Sequence, residues 1–583
     1  MKIKKFLALL LACVMLFGLV AACNNNNDTD GPDPGTDTGT QGGTGGGTGG
    51  GTGGGTGGGT TVTEPGPVDI QLPGVPAGIT GNVWRIAQVN EWTTADFQMT
   101  TNDSVIPGLI YDTLVLNWGK PDGTSEFVPG LATSWTVSDD GLLWNFKLRE
   151  NVLFHNGEVF KADDVKFTFE RMMDPGQHAR WANLLTMIVG AQAMLDGEAN
   201  GIEGIRIIND YEIEFDLTGP FAPFLSNISF VGLCIYNRKA TVEAGDEFGI
   251  NPALTIGTGP FRYVTWELND YHYVEANDDY WGGRPNLDGI LWRVIPDENA
   301  QMMLFEQGEL DNIQLRTADA EHYLNSQWAD YVSPVIGVGI AYLHINQAIE
   351  PFGDVRVRRA LQLGLDRQAM LDSPATQGGN GTLVHGVLPR GLVGFNPDLP
   401  VIPFDQDEAR RLLAEAGYED GFDMELTQWP HSQANYMTYV NEIVQSQLAE
   451  LGIRVTIRVM DVGTWGTIRG RGELASYNAT WGASFNDPDY FFGTFFHPNT
   501  LRSFNISRTD LLERVAAAAF IVDPEERIRE YQALEYALIH EEACWVPLYQ
   551  SNSWQIIHPR LVDWNLAWSG NIGSAAYWTV ELP

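Results

Sequence analysis

Residues 24–63 constrain the fold of this chain more than any other stretch. Gly-Gly-Gly-Thr units repeat there, with threonine at 44, 48, 52, 56 and 60 and no large apolar residue before Val62. A segment of that composition has no apolar surface to bury and is expected to be disordered. The period of four and the lack of proline within the repeats exclude collagen. A glycine-rich coil of about 40 residues reaches roughly 35 Å root-mean-square. The sequence therefore predicts a tether over residues 24–81, followed by a folded body of about 500 residues.

A targeting segment precedes the tether. Lys2, Lys4 and Lys5 open it, and the apolar run Phe6 to Ala22 is too short for a comfortable membrane span. The run closes Leu19-Val20-Ala21-Ala22-Cys23. Small residues before a cysteine at this place resemble the bacterial lipoprotein signal. The resemblance implies that residues 1–23 are a signal peptide ending at Cys23, with Cys23 carrying lipid. An ordinary cleaved signal peptide is the alternative. Lipid and tether together predict a body held loosely at a cell membrane on its extracytoplasmic face, at the cell surface or in the periplasm. Two or three acyl chains anchor firmly where one does not.

A body of this size exceeds what one hydrophobic core usually serves, so two or three domains are expected. Asp plus Glu number 74 against 35 for Lys plus Arg, a net charge of −39. That charge repels nucleic acid and anionic membrane surfaces and excludes nucleic acid as a partner. Cys13 lies in the leader, and Cys234 and Cys544 sit in apolar runs, where two buried thiols or a disulfide are both compatible with export. The 18 tryptophans supply core, and also surfaces for stacking on a ligand.

Alternation predicts an opening strand at Asn82 to Glu91, then a polar segment, then a helical turn leading into a strand over Ile106 to Leu116. Asp140-Gly141 marks a hairpin turn, with Trp144, Phe146 and Leu148 on one face of the following strand. Asp163 and Asp164 open a helix whose buried face carries Val165, Phe169 and Met172. Further helices are read at 354–370, at 407–416 closed by Gly417, and at 439–451 closed by Gly452. Ile453, Val455, Ile457 and Val459 then alternate as a strand. Helix, glycine and alternating strand make the αβ unit of a mixed sheet with helices on its faces. Residues 510–541 supply the last helices, and a returning strand is expected at Trp545 to Trp554.

Residues 131–171 run Leu-Ala-Thr-Ser-Trp, Ser-Asp-Asp-Gly, Phe-Lys-Leu-Arg, Phe-His-Asn-Gly, Asp-Asp-Val and Phe-Glu-Arg in that order. Gly257-Thr258-Gly259-Pro260-Phe261, Asn277 to Gly283 and the Asp-Val-Arg-Val-Arg-Arg-Ala-Leu of residues 354–361 follow. In these motifs the chain resembles the extracellular solute-binding proteins of family 5, the dipeptide, oligopeptide and nickel-binding receptors of ABC importers. The resemblance covers residues 82–583. It implies an α/β, two-lobed, periplasmic-binding-protein-like fold of type II, hinge-joined, with mixed sheets flanked by helices and an extra subdomain inserted in the first lobe. The first lobe is expected at 82–113, 218–341 and 547–583, the inserted subdomain at 114–217 and the second lobe at 342–546, with Tyr342 to Asn346 crossing between lobes. Lys161 replaces the family's usual threonine, so a side-chain helix cap is expected to be lost. His155 is read as a turn element rather than a metal ligand, and Arg356, Arg358 and Arg359 as a solvated, salt-bridged face.

No bond chemistry is expected. The chain has no His-Glu-x-x-His, Gly-x-Ser-x-Gly, Cys-x-x-Cys or Walker loop. The Gly-rich stretch at 282–283 lacks the Gly-Lys-Ser/Thr ending. A secreted glycoside or peptide hydrolase stays as a remote alternative, since glycosidases also use acids and tryptophans. No cofactor is expected, and a monomer that delivers its solute to a membrane permease is.

The ligand reading centres on Trp481 to Phe492, where a short strand, aromatic residues and an Asp-Pro turn meet. Peptide-binding members of the family grip a free amino end with the aspartate of a Trp-x-x-Asp segment; here the segment is Trp481-Gly482-Ala483-Ser484. The family resemblance makes a peptide the first expectation for the solute; the alternative is an oligosaccharide, suggested by Ser484, because a buried ammonium without a carboxylate is costly, and by the abundant tryptophans. A nickel chelate is the weaker choice. The candidate ligand-binding residues are Trp481, Gly482, Ser484, Phe485, Asn486 and Asp487, with Asn90, Glu91 and Trp92 from the first lobe and Trp429 and His431 at the cleft mouth. No metal-binding residue is assigned.

Overall fold

The computed structural model describes residues 73–581 apart from 101–104, 120–124, 336, 374–375, 377, 430–434, 484–485, 499–504 and 563–578. The leader with Cys23 and most of the tether, residues 1–72, lie outside the described residues.

Two large mixed sheets organise the body. The first has seven strands in the order Val332–Val335, Ser553–Ile557, Asn312–Leu315, Val83–Gln88, Gly289–Val294, Tyr271–Ala276, Phe261–Glu267. The opening strand is parallel to both of its neighbours, and the outer pairs are antiparallel. The second has six, in the order Gly381–Leu383, Trp545–Ser551, Gly339–Ile345, Ser476–Gly482, Asp423–Gln428, Arg454–Val459. Between residues 132 and 216 the chain builds a separate four-stranded antiparallel sheet, with the hairpin turn at Asp140-Gly141 where the sequence places it. Its core gathers Phe146, Phe169, Phe215 and Phe224, all fully buried.

The first sheet is fastened by a buried ion pair. Arg85 on the opening strand donates to Asp311 at 2.8 Å, the two side chains being 1% and 0% exposed. Arg560, beyond the last strand of that sheet, reaches the same carboxylate at 2.5 Å. One acid thus ties the start of the folded body to its end. Removing a partner of such a pair leaves an uncompensated buried charge.

Several expectations shift by a few residues for identifiable reasons. The chain leaves the first sheet after Val335 and enters the second at Gly339, and it returns through Asn552, because 339–345 and 545–551 are both paired within the second sheet. The returning strand is therefore two strands. The helix expected at 354–370 is two, Val355–Gly364 and Arg367–Asp372, and the second is capped by the Asp366 carboxylate accepting the Ala369 N–H. Lys161 gives the helix Ala162–Met173 no side-chain cap, and Asp164 instead accepts the Lys161 N–H at 3.0 Å. Arg356 is exposed beside Asp354, as a solvated face requires, but Arg358 is 1% exposed. Arg358 donates to the carbonyls of Phe352, Gly353 and Glu542, and Arg359 donates to that of His540. The last carbonyls of a helix lack intrahelical donors, and these arginines supply them to His540 and Glu542 at the end of the helical turn Ala537–Glu541.

His155 is a turn element. Its ring bonds the Gly259 carbonyl at 3.0 Å and accepts the Gly257 N–H at 3.3 Å, and burial holds its pKa down at about 4. Cys234 and Cys544 are buried, free thiols.

Candidate functional site

Strand directions decide what faces what. Val332–Val335 is antiparallel to Ser553–Ile557, which is antiparallel to Asn312–Leu315, which is parallel to Val83–Gln88. Val335, Ser553 and Gln88 therefore lie at one edge of the first sheet, and both crossings leave from that edge. In the second sheet, Gly339 pairs with Gly482 and Gly381 with Ser551, at the edge where the crossings arrive. The strand Asp423–Gln428 runs parallel to Ser476–Gly482 toward the same edge, with Thr427 opposite Tyr477. Two sheet edges thus face one another across the crossings, and the described candidate residues emerge from these edges.

On the first lobe, Asn90 is exposed, and Glu91 and Trp92 are half-buried. The Glu91 carboxylate accepts from its neighbour Trp92 N–H at 2.9 Å and from the Asn269 N–H, and lies 2.5 Å from His272 Nε2. His272 is fully buried, and its other nitrogen sits 2.7 Å from the Tyr263 hydroxyl. The Trp92 ring lies 4.6 Å from the His272 ring and edge-on to Trp292 at 5.4 Å. Glu91 is engaged as a structural acceptor, and Trp92 is half-buried against His272 and Trp292.

On the second lobe, the strand Ser476–Gly482 runs onto the crossing, where the Ala483 N–H donates to the Val338 carbonyl at 2.9 Å. The half-buried Trp481 ring stacks on Tyr490 at 5.5 Å and meets Phe495 edge-on. Gly482 is exposed, so backbone is presented there. Trp429 lies against Trp465, ring centroids 4.1 Å apart. Ser484, Phe485 and His431 lie outside the described residues.

The Asp-Pro step does more than turn the chain. Pro488 opens the helix Asp489–Phe496, whose Phe491, Phe492, Phe495 and Phe496 are core residues rather than pocket wall. The helical period of this aromatic run was present in the sequence and is the signal that could have shown it. Asn486 and Asp487 are both 6% exposed. Asn486 accepts the Val393 N–H at 2.8 Å, and Asp487 is held by Arg527 through both oxygens. These two shape the turn after the strand, and the Asp487 carboxylate is committed to its partner. Burial first, then the neighbouring Asp487, push the Asp489 pKa up to about 6.

A loop that the sequence reading left unassigned also reaches this edge. Residues 386–394 are mounted from below by Glu535, which accepts the Val387 and Leu388 N–H groups at 2.6 and 2.9 Å. Gln550, beside the second crossing, donates to the carbonyls of Arg390 and Gly337 and accepts the Arg390 N–H at 2.8 Å. The two lobes also touch away from the crossings. Ala222 N–H donates to the Ala519 carbonyl at 3.1 Å, and Phe221 meets Phe520 edge-on at 5.9 Å. Among the described residues, no group of three His, Cys, Asp or Glu side chains is placed to hold a metal ion, and no helix is long and apolar enough to cross a membrane.

Comparison with known proteins agrees with this architecture. The family described as "Bacterial extracellular solute-binding proteins, family 5 Middle" matches residues 126–502. Heme-binding protein A of Haemophilus influenzae is 27% identical over 456 residues, covering 75% of this chain and 82% of that protein. The glutathione-binding protein GsiB of Escherichia coli is 29% identical over 429 residues, covering 72% and 79%. The periplasmic binding protein DppA of Helicobacter pylori, solved with the peptide STSA, superposes with a TM-score of 0.72 at 26% identity, covering 86% of this chain and 98% of that one. Two lobes that meet across paired crossings, with binding rather than catalytic relatives over most of its length, place this chain in the bacterial extracellular solute-binding proteins of family 5.

Proposed function

We propose that the chain is the lipid-anchored receptor of an ABC importer, capturing one small solute between its lobes and handing it to a membrane permease. The observation that carries this reading is that Asn90 and Trp92 follow the strand Val83–Gln88 at one sheet edge and Trp481 and Gly482 end a strand at the facing edge, the two sheets being joined between Val335 and Gly339 and through Asn552. Each lobe alone offers half a site. A solute that touches both favours the closed arrangement through its differential affinity, and the crossings act as the hinge. The monomer suffices, and Cys23 with the tether keeps it beside the permease.

A peptide is the first reading of the solute. The exposed backbone at Gly482 suits strand-like pairing with an extended ligand. The ligands named for the three relatives, heme, glutathione and a peptide, have the carboxylate as their shared charged group. The second reading is an oligosaccharide, favoured by Ser484 in place of an amine-binding aspartate and by the tryptophans at the cleft.

A thermal-shift panel of peptides, glutathione and oligosaccharides, with turnover followed in the same samples, tests the proposal. Stabilisation by an intact solute supports it. Turnover of a panel compound without stabilisation by any intact one overturns it.

A further inference from the structure

The loop 386–394 is built more rigidly than a surface connection needs to be. Glu535 holds its start, with the carboxylate fully buried beneath Val387 and Leu388. Gln550, 2% exposed, clamps both backbone groups of Arg390 while donating to Gly337 of the crossing. A methyl group added at Gly391 would lie 3.6 Å from Val338. The Val393 N–H is bound by Asn486 and the Gly394 carbonyl by Gln532. The backbone of Arg390 is therefore fixed beside Val338, the residue whose carbonyl receives Ala483 at the end of the ligand-facing strand.

What this mount carries is an exposed guanidinium. Among the described residues no carboxylate pairs with it. Elsewhere in this strongly acidic chain arginines find acids readily: Arg171 pairs with Asp96, Arg454 with Asp423, Arg508 with Asp510 and Glu542, and Arg527 with Asp487. The acid nearest in sequence to the strand end, Asp487, is already taken by Arg527. The backbone that carries this cation is held beside the crossing, where its exposed guanidinium can meet an opposite charge brought by the solute. A planar guanidinium suits a carboxylate by two parallel hydrogen bonds.

We infer that Arg390 is a specificity-determining residue that binds a carboxylate of the solute, so that the receptor selects carboxylate-bearing ligands by their acid end rather than by a free amine. This rests on the receptor reading above and narrows its solute class. The selection is electrostatic and involves no bond chemistry.

The probes are the tripeptide Ala-Phe-Ala as free acid, as its C-terminal amide and as its N-acetylated acid, with glutathione and maltotriose alongside. Each is titrated calorimetrically into the purified full chain. The free acid is expected to bind about tenfold or more tightly than the amide, and acetylation to change affinity by less than about threefold. Arg390→Gln is expected to bring the acid down to the amide and leave the amide unchanged, and Arg390→Lys to restore part of the difference. Gln550 contacts only the backbone of residue 390, so the variants retain those bonds, and an unchanged melting temperature verifies it. Equal binding of acid and amide by the native chain, or full affinity for the acid in Arg390→Gln, overturns the inference. Binding of maltotriose with none of the acids overturns it too and leaves the receptor reading standing. No binding of any probe, with no solute co-purifying, counts against both.

Discussion

Arg527 holds Asp487 through both terminal guanidinium nitrogens, at 2.9 and 2.6 Å, with each side chain only 8% exposed. The same carboxylate accepts the Asp489 N–H at 2.8 Å, and Asp489 in turn accepts the Tyr531 hydroxyl at 2.9 Å. The turn that follows the strand Ser476–Gly482 is thereby pinned to the helix Pro524–Tyr536.

Arg527→Met is expected to destabilise the chain by about 3–5 kcal/mol, because it leaves a buried carboxylate uncompensated. The Asp487→Asn, Arg527→Met double variant should lose less than the sum of its singles. Urea unfolding of the four proteins measures the coupling. Strict additivity would show that the pair does not act as a unit.

Burial pushes the Glu535 pKa up to about 7, although the Val387 and Leu388 N–H groups oppose the shift. The folded chain then keeps a proton that the unfolded chain releases between about pH 4.5 and pH 7, so stability falls as pH rises through that window, by roughly 3 kcal/mol in total. Asp489, raised to about 6, adds a fall in the same direction. Glu535→Gln should flatten the decline of melting temperature between pH 5 and 8. An unchanged slope would remove Glu535 as its source.

The contact of Phe221 with Phe520 bridges the lobes away from the crossings. An edge-on aromatic pair contributes about 1 kcal/mol, so Phe520→Ala should weaken this contact between the lobes by a factor of about five. Phe520 is 43% exposed, so the melting temperature should hardly change. Small-angle scattering of the solute-free chain should show a larger radius of gyration in the variant. Superimposable curves for variant and native chain would rule out this latch.

Ser484→Asp is expected to raise affinity for peptides with a free amino end by about tenfold, the effect of pairing an ammonium with a carboxylate. Calorimetry showing no gain in a folded variant removes the role assigned to position 484.

Cys23→Ser is expected to move the chain from the membrane fraction to the soluble one without altering solute binding, since the tether separates the two functions. Retention in the membrane fraction would contradict lipidation at Cys23.

Much of the fold was legible because short-range chemistry wrote it. The Asp140-Gly141 hairpin and the strand after Gly452 lie where turn residues and alternation place them. Crossings were misplaced by a few residues because pairing partners, not propensity, decide where a strand such as Trp545–Ser551 belongs. Arg358 was read as solvated because no sequence pattern shows that the Glu542 carbonyl, 184 positions away, needs a donor. The strand ending at Gly482 was legible from its own residues, but the commitments of Glu91 to His272 and of Asp487 to Arg527 depend on long-range packing. Arg390 escaped notice for the same reason, since its mount is assembled from Glu535, Gln550 and Asn486.

The most direct measurement of the central claim is native mass spectrometry of the purified full chain after incubation with the peptide, glutathione and oligosaccharide panel. The account predicts one solute bound per chain, recovered intact after denaturation. Recovery of cleaved products, or a chain that retains none of the panel and carries no solute of its own, would contradict it.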